Sequence, residues 1–159
     1  MKDFVWMFVS VLVAFVLHTL LAKISVSLLL LVNFFSLVVI YFAIEKGEIY
    51  GACLGTFCGL LQDSFSLGVF GVSGIAKTIM GFSAGYISGK INVTSIRQNF
   101  VFVFVLLCMD LLIWAVLYSF IFSERVNTRG GLIFFQPLIT AVLGLLVFRF
   151  VLKQKRSKM

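Results

Sequence analysis

The sequence is short of charge and of histidine, and it lacks every residue constellation that carries metal or nucleophilic chemistry. Only 12% of its 159 residues are Asp, Glu, Lys or Arg, too few to solvate a separate water-soluble domain. His18 is the single histidine and no CxxC pair occurs, so neither a zinc site nor a redox pair can be assembled. Cys53, Cys58 and Cys108 all lie in apolar runs, and Cys53 and Cys58 are not at helix-face spacing. Disulfides are therefore not expected. There is no zinc-helix motif, nucleophile elbow or dinucleotide fingerprint, so enzymatic activity and a cofactor are not expected either. Basic residues are nowhere interleaved with aromatics outside the apolar runs, which argues against nucleic-acid binding. His18, near the outer end of the first apolar run, reads as an interfacial or hydrogen-bonded residue rather than a ligand.

What the chain does have is hydrocarbon. Hydrophobic residues make up 62% of it and aromatics 16%, and the mean hydropathy is +1.16. The runs are apolar on every side for about twenty residues, which is the pattern of membrane helices rather than of alternating barrel strands. The expected fold is an all-α integral membrane protein, one polytopic domain over residues 1–159. Spans are expected at about residues 4–22, 26–44, 49–62, 71–89, 99–121 and 132–151. The first reads as a retained helix rather than a removed signal. The third is short and glycine-rich, open to being a broken or re-entrant helix. Six spans with a cytoplasmic amino terminus put Lys2, Lys46, Lys90, Arg97, Arg149, Lys153, Lys155, Arg156 and Lys158 inside, against Lys23, Arg125 and Arg129 outside. A five-span alternative moves the amino terminus outside, and both keep the carboxyl terminus in the cytoplasm. The basic tail from Arg149 to Lys158 accounts for most of the net charge of +7 and reads as an anchor on anionic lipid headgroups.

Within this apolar background, Gly47, Gly51, Gly55 and Gly59 recur every four residues and lead to Asp63. Residues four apart share a helix face, so the glycines make a smooth stripe that a second helix can approach closely. A second ladder, Gly81, Gly85 and Gly89, follows Lys77, and the two faces are expected to pack on each other. Three ionisable groups then stand at membrane depth, Asp63, Lys77 and Asp110, each needing a partner or a polar cavity. Asp63 either pairs with Lys77 across a helical hairpin or ends a helix at the interface. Asp110 either serves as a transport site or makes a structural hydrogen bond, with Asn33, Lys77 and Gln136 as candidate donors. No internal repeat of the transporter kind is present, which favours the structural role.

The segment Gly51-Ala52-Cys53-Leu54-Gly55-Thr56-Phe57-Cys58-Gly59-Leu60-Leu61-Gln62-Asp63-Ser64-Phe65-Ser66, followed by Gly68, Gly71 and Gly85-Tyr86-Ile87-Ser88-Gly89, resembles the pattern of the rod shape-determining MreD family. That pattern is a glycine-spaced helix ending Gly-Leu-x-x-Asp, a turn with serine and glycine, and a helix ending Gly-Tyr-x-x-Gly. Length, hydropathy and the basic tail agree with it. The second span departs from the pattern at Ser25-Val26-Ser27-Leu28, and Lys77 is an unusual guest in the fourth.

The resemblance implies a non-catalytic component of the bacterial inner membrane, belonging to the cell-elongation machinery. It implies a fold like that of the substrate-binding S-components of energy-coupling-factor transporters. It implies binding to the single-span protein MreC, in a complex with MreB, RodA and a class B penicillin-binding transpeptidase. A homo-oligomer stays open. On this reading the glycine ladders and Asp63 shape the core hairpin, while Phe34, Phe35, Phe100, Phe102 and Phe104 meet lipid or partner helices. The alternative is a small-molecule, vitamin-type uptake subunit, which would need a polar cavity around Asp63, Lys77 and Asp110.

Overall fold

The computed structural model describes residues 2–25, 31–65, 70–90, 96–121 and 134–156, with side chains over 5–25, 31–65, 70–90, 98–121 and 134–146. The described residues form an all-α bundle of six helices. These are α1 (Lys2–Ile24), α2 (Phe34–Lys46), α3 (Glu48–Phe65), α4 (Val72–Ser88), α5 (Ile96–Ile121) and α6 (Gln136–Arg156). Helices are the form such a sequence must take in lipid, because each satisfies its own backbone hydrogen bonds. Among the described residues, two stretches are long and apolar enough to cross a membrane, the 20 residues Val5–Ile24 and the 24 residues Gln98–Ile121, and Gln136–Leu146 is a shorter apolar one. Large apolar side chains point outward from these helices, among them Trp6, Phe8, Leu12, Leu112, Phe120 and Leu146. A water-soluble monomer does not sustain that much contiguous apolar surface, and the location is accordingly membrane-associated.

Helix α2 is the hub of the bundle, packed against α1, α3, α4 and α6. Phe35, Ser36, Leu37, Val39, Ile40, Phe42 and Ala43 are all buried, so it is covered on nearly every side. It does not run through as one helix over 26–44. Val32 and Asn33 lie outside any helix, and α2 starts afresh at Phe34; residues 26–30 lie outside the described set. The reason is local. The Asn33 Oδ1 accepts the Ser36 N–H at 3.2 Å, an N-cap that starts a new helix instead of continuing an old one. The freed backbone groups are met from α6, where the fully buried Thr140 hydroxyl accepts from Asn33 N–H (3.2 Å) and donates to the Leu31 carbonyl (3.4 Å).

At its other end α2 stops on Gly47, whose φ of +99° is open to glycine and strained for other residues. The Gly47 N–H closes α2 onto the Ala43 carbonyl, and its own carbonyl accepts from Gly51 N–H to begin α3. One residue thus turns the chain from one helix into the next. Helix α3 then runs unbroken through its glycines for 18 residues, about 27 Å at the α-helical rise. The turn-back comes only after Phe65. Helix α5 presents Val103, Leu106, Leu107 and Asp110 inward, a one-faced helical stripe, and packs on α4 and α6. Pro137 sits in the first turn of α6, where a missing N–H leaves no hydrogen bond unmade.

Candidate functional site

The α3–α4 seam is built by absence of side chains. A Cβ placed on Gly51 would stand within 3 Å of the Gly81 backbone; on Gly55, of Lys77 and Thr78; on Gly59, of Ser73 and Gly74. From the α4 side, Gly81 meets Gly51, and Gly85 meets Gly47 and Glu48. The pairing runs antiparallel in constant register, so two helices lie backbone against backbone over about three turns. Lipid gives no hydrophobic drive to such a contact, and close van der Waals packing takes its place. Two members of the ladders differ from the rest. Gly47 does not extend the α3 stripe but forms the turn before it, and a Cβ on Gly89 would meet only ordinary contacts from its own helix at 3.6–3.7 Å. Gly68 lies outside the described residues.

Asp63, only 5% exposed, closes the hairpin at the far end. Its carboxylate accepts backbone N–H groups from Gly71 (2.8 Å), Ser73 (3.0 Å) and Gly74 (3.3 Å). These are the donors that the start of α4 cannot satisfy within its own helix. The N-cap residue itself is Gly71, with φ +102° and no side chain to cap with, so the preceding helix supplies the cap. A negative charge there also opposes the positive end of the α4 dipole. Asp63 does not pair with Lys77. The register sets Gly55 opposite Lys77, and Asp63 lies eight residues further on, about 12 Å along the axis.

The partner of Lys77 is Asp110. The Lys77 Nζ stands 3.1 Å from the Asp110 Oδ2, with side-chain exposures of 3% and 8%. The same oxygen accepts from the Ser36 hydroxyl at 2.7 Å. Three helices, α2, α4 and α5, therefore converge on one carboxylate oxygen. A lone charge in a membrane interior costs about 2.5–3.5 kcal/mol even on insertion scales, and each ion here removes the other's isolation. Of the other candidate donors to Asp110, Asn33 acts one step away, holding the backbone of Ser36. Gln136 is half-buried at the start of α6 and makes no hydrogen bond to Asp110.

Several parts of this arrangement escape sequence reasoning. Ser36, Thr140 and Ser73 are single hydroxyl residues in apolar runs, with no spacing that marks them. Gly74 joins the seam against Leu60 and Gly144 brings α6 close to Leu37; both are glycines outside a four-residue ladder. Phe35, expected at a surface, is fully buried, and its ring centroid lies 5.2 Å from that of His18. Phe34, Phe100, Phe102 and Phe104 are partly buried against the core. His18 itself is buried in the bundle. The side chains of the basic tail lie outside the described residues.

No curated protein and no solved structure matches the chain. The family comparison is different in kind: the sequence pattern of rod shape-determining protein MreD matches residues 1–154. Members of that family are non-catalytic. With nearly its full length matched, from the first helix into the last, the chain belongs to the rod shape-determining protein MreD family.

Proposed function

We propose that the chain is a non-catalytic, multi-pass scaffold of the bacterial inner membrane, working within the machinery that elongates the wall of rod-shaped cells. The observation that carries this reading is the family match over residues 1–154. The partner in direct contact is MreC, held by helix packing, with MreB, RodA and a class B penicillin-binding transpeptidase in the wider assembly. The carboxyl terminus lies in the cytoplasm, and the bundle is a relative of the S-component fold. The glycine faces of α3 and α4 are occupied by each other, so partner helices dock on the outward apolar faces of the bundle. The glycine ladders, Asp63 and the polar group of Asn33, Lys77 and Asp110 act behind those faces, as the parts that hold their shape.

A second reading, a vitamin-type uptake subunit, is favoured by one observation: a charged pair buried where a scaffold has no need of charge. One experiment separates the two. The tagged full-length chain is recovered from its native membrane in mild detergent, and what accompanies it is quantified by mass spectrometry against an unrelated six-span protein. Enrichment of an MreC-like single-span protein with wall synthases supports the scaffold. Paired ATP-binding subunits in their place, with saturable binding of a small ligand, would replace it with the transport reading.

A further inference from the structure

The carboxylate of Asp110 is satisfied on only one of its two oxygens. Both of its hydrogen bonds, from Lys77 Nζ and Ser36 Oγ, fall on Oδ2, while Oδ1 is buried with no hydrogen-bond partner among the described residues. The ammonium of Lys77 has three N–H donors, and Asp110 is its one hydrogen-bond partner among the described residues. The residue is 2% exposed. Donors without acceptors and acceptors without donors thus meet around a single ion pair.

We infer that Lys77 and Asp110 bind an ordered water molecule inside the bundle. Buried waters sit where two to four polar groups are otherwise unsatisfied. Lys77 offers free N–H donors and Asp110 Oδ1 a free acceptor, on two side chains already held 3.1 Å apart. A water accepts from a free Lys77 N–H and donates to Asp110 Oδ1. The ligand is neutral, because Lys77 already balances Asp110 and a further cation would face the ammonium directly. A proton on Oδ1 is the competing solution. It would neutralise the carboxylate, strand the charge of Lys77 in the interior and still leave the lysine donors unmet. The water also gives the α4–α5 contact a different character from the α3–α4 seam. Glycine faces in direct contact admit nothing between them, whereas a hydrated ion pair can exchange protein partners for water as the helices move.

Solid-state NMR of the full-length chain in lipid bilayers, with lysine labelled at 15Nζ and aspartate at 13Cγ, tests this. The double variant Lys77→Met/Asp110→Leu, which removes both charges together, identifies the two resonances by their loss. The expected result is transfer of water-proton polarisation to Lys77 Nζ, together with an Asp110 Cγ shift in the ionised range. Absence of water transfer to Lys77 in the wild-type chain would overturn the inference, as would an Asp110 Cγ shift in the protonated range.

Discussion

Asp110 shows how one residue in lipid gathers a structure around it. A charge in a hydrocarbon interior is tolerated only with a partner, and here the partner comes from α4 and a supporting hydroxyl from α2. Removing one member strands the other. Lys77→Ala or Asp110→Ala should each destabilise the bundle by about 3–5 kcal/mol, whereas Lys77→Met/Asp110→Leu should retain most of the wild-type stability. Thermal unfolding in detergent, followed by circular dichroism, checks the contrast; equal losses in all three variants would refute the pairing. Asp63 is a different kind of carboxylate, bonded to backbone donors rather than to a cation. Asp63→Ala should cost about 1–2 kcal/mol, with faster hydrogen exchange at Ser73 and Gly74. Asp63→Asn, which keeps an acceptor oxygen, should lose less. That both carboxylates need partners was legible in the sequence. Their partners were not, because pairing across 33 positions depends on which faces of α4 and α5 meet.

At the scale of the element, the hairpin of α3 and α4 rests on what its glycines lack. Gly55→Leu would drive a branched side chain into the backbone of Lys77 and Thr78, and overpacking of this kind should cost about 3 kcal/mol or more. Gly89→Ala, outside the seam, should be close to neutral in the same assay. Cross-linking yield between cysteines introduced on α3 and α4 would read the separation directly: loss is expected in Gly55→Leu and retention in Gly89→Ala. Gly47 belongs to neither class. Nothing lies within 4 Å of a Cβ built there, yet its φ is +99°, so Gly47→Ala should cost about 1 kcal/mol through backbone strain alone. A four-residue spacing made these glycines visible, but spacing cannot tell a glycine that faces a helix from one that turns the chain. The same limit applies to α2. Its apolar run looked continuous over 26–44, and only the cap at Asn33, with Thr140 filling the break, sets its true beginning.

For the whole molecule, the central question is what docks on the outward faces. If the chain is a scaffold, a bulky polar residue on such a face should weaken partner recovery without unfolding the bundle. Leu12→Gln on α1 and Leu112→Gln on α5, both exposed, are suitable; loss of MreC from the pull-down at one of them, with an unchanged melting curve, would locate the contact. The sequence by itself determined the class of molecule. Scarce charge and long apolar runs leave lipid as the solvent and helices as the structure, since backbone groups there must be satisfied within the segment. The four-residue glycine spacing and the Gly-Leu-x-x-Asp ending are equally local, so the hairpin and its family likeness could be read along the chain. What only the tertiary structure decided was every relation between distant segments: Lys77 with Asp110 rather than Asp63, Ser36 as the third member of that group, Thr140 at the break before α2, and Phe35 in the core. Helix periodicity fixes which residues share a face. It carries no information on which two faces meet or at what height, and in an apolar bundle those are settled by close packing and by the few polar groups that cannot be left alone.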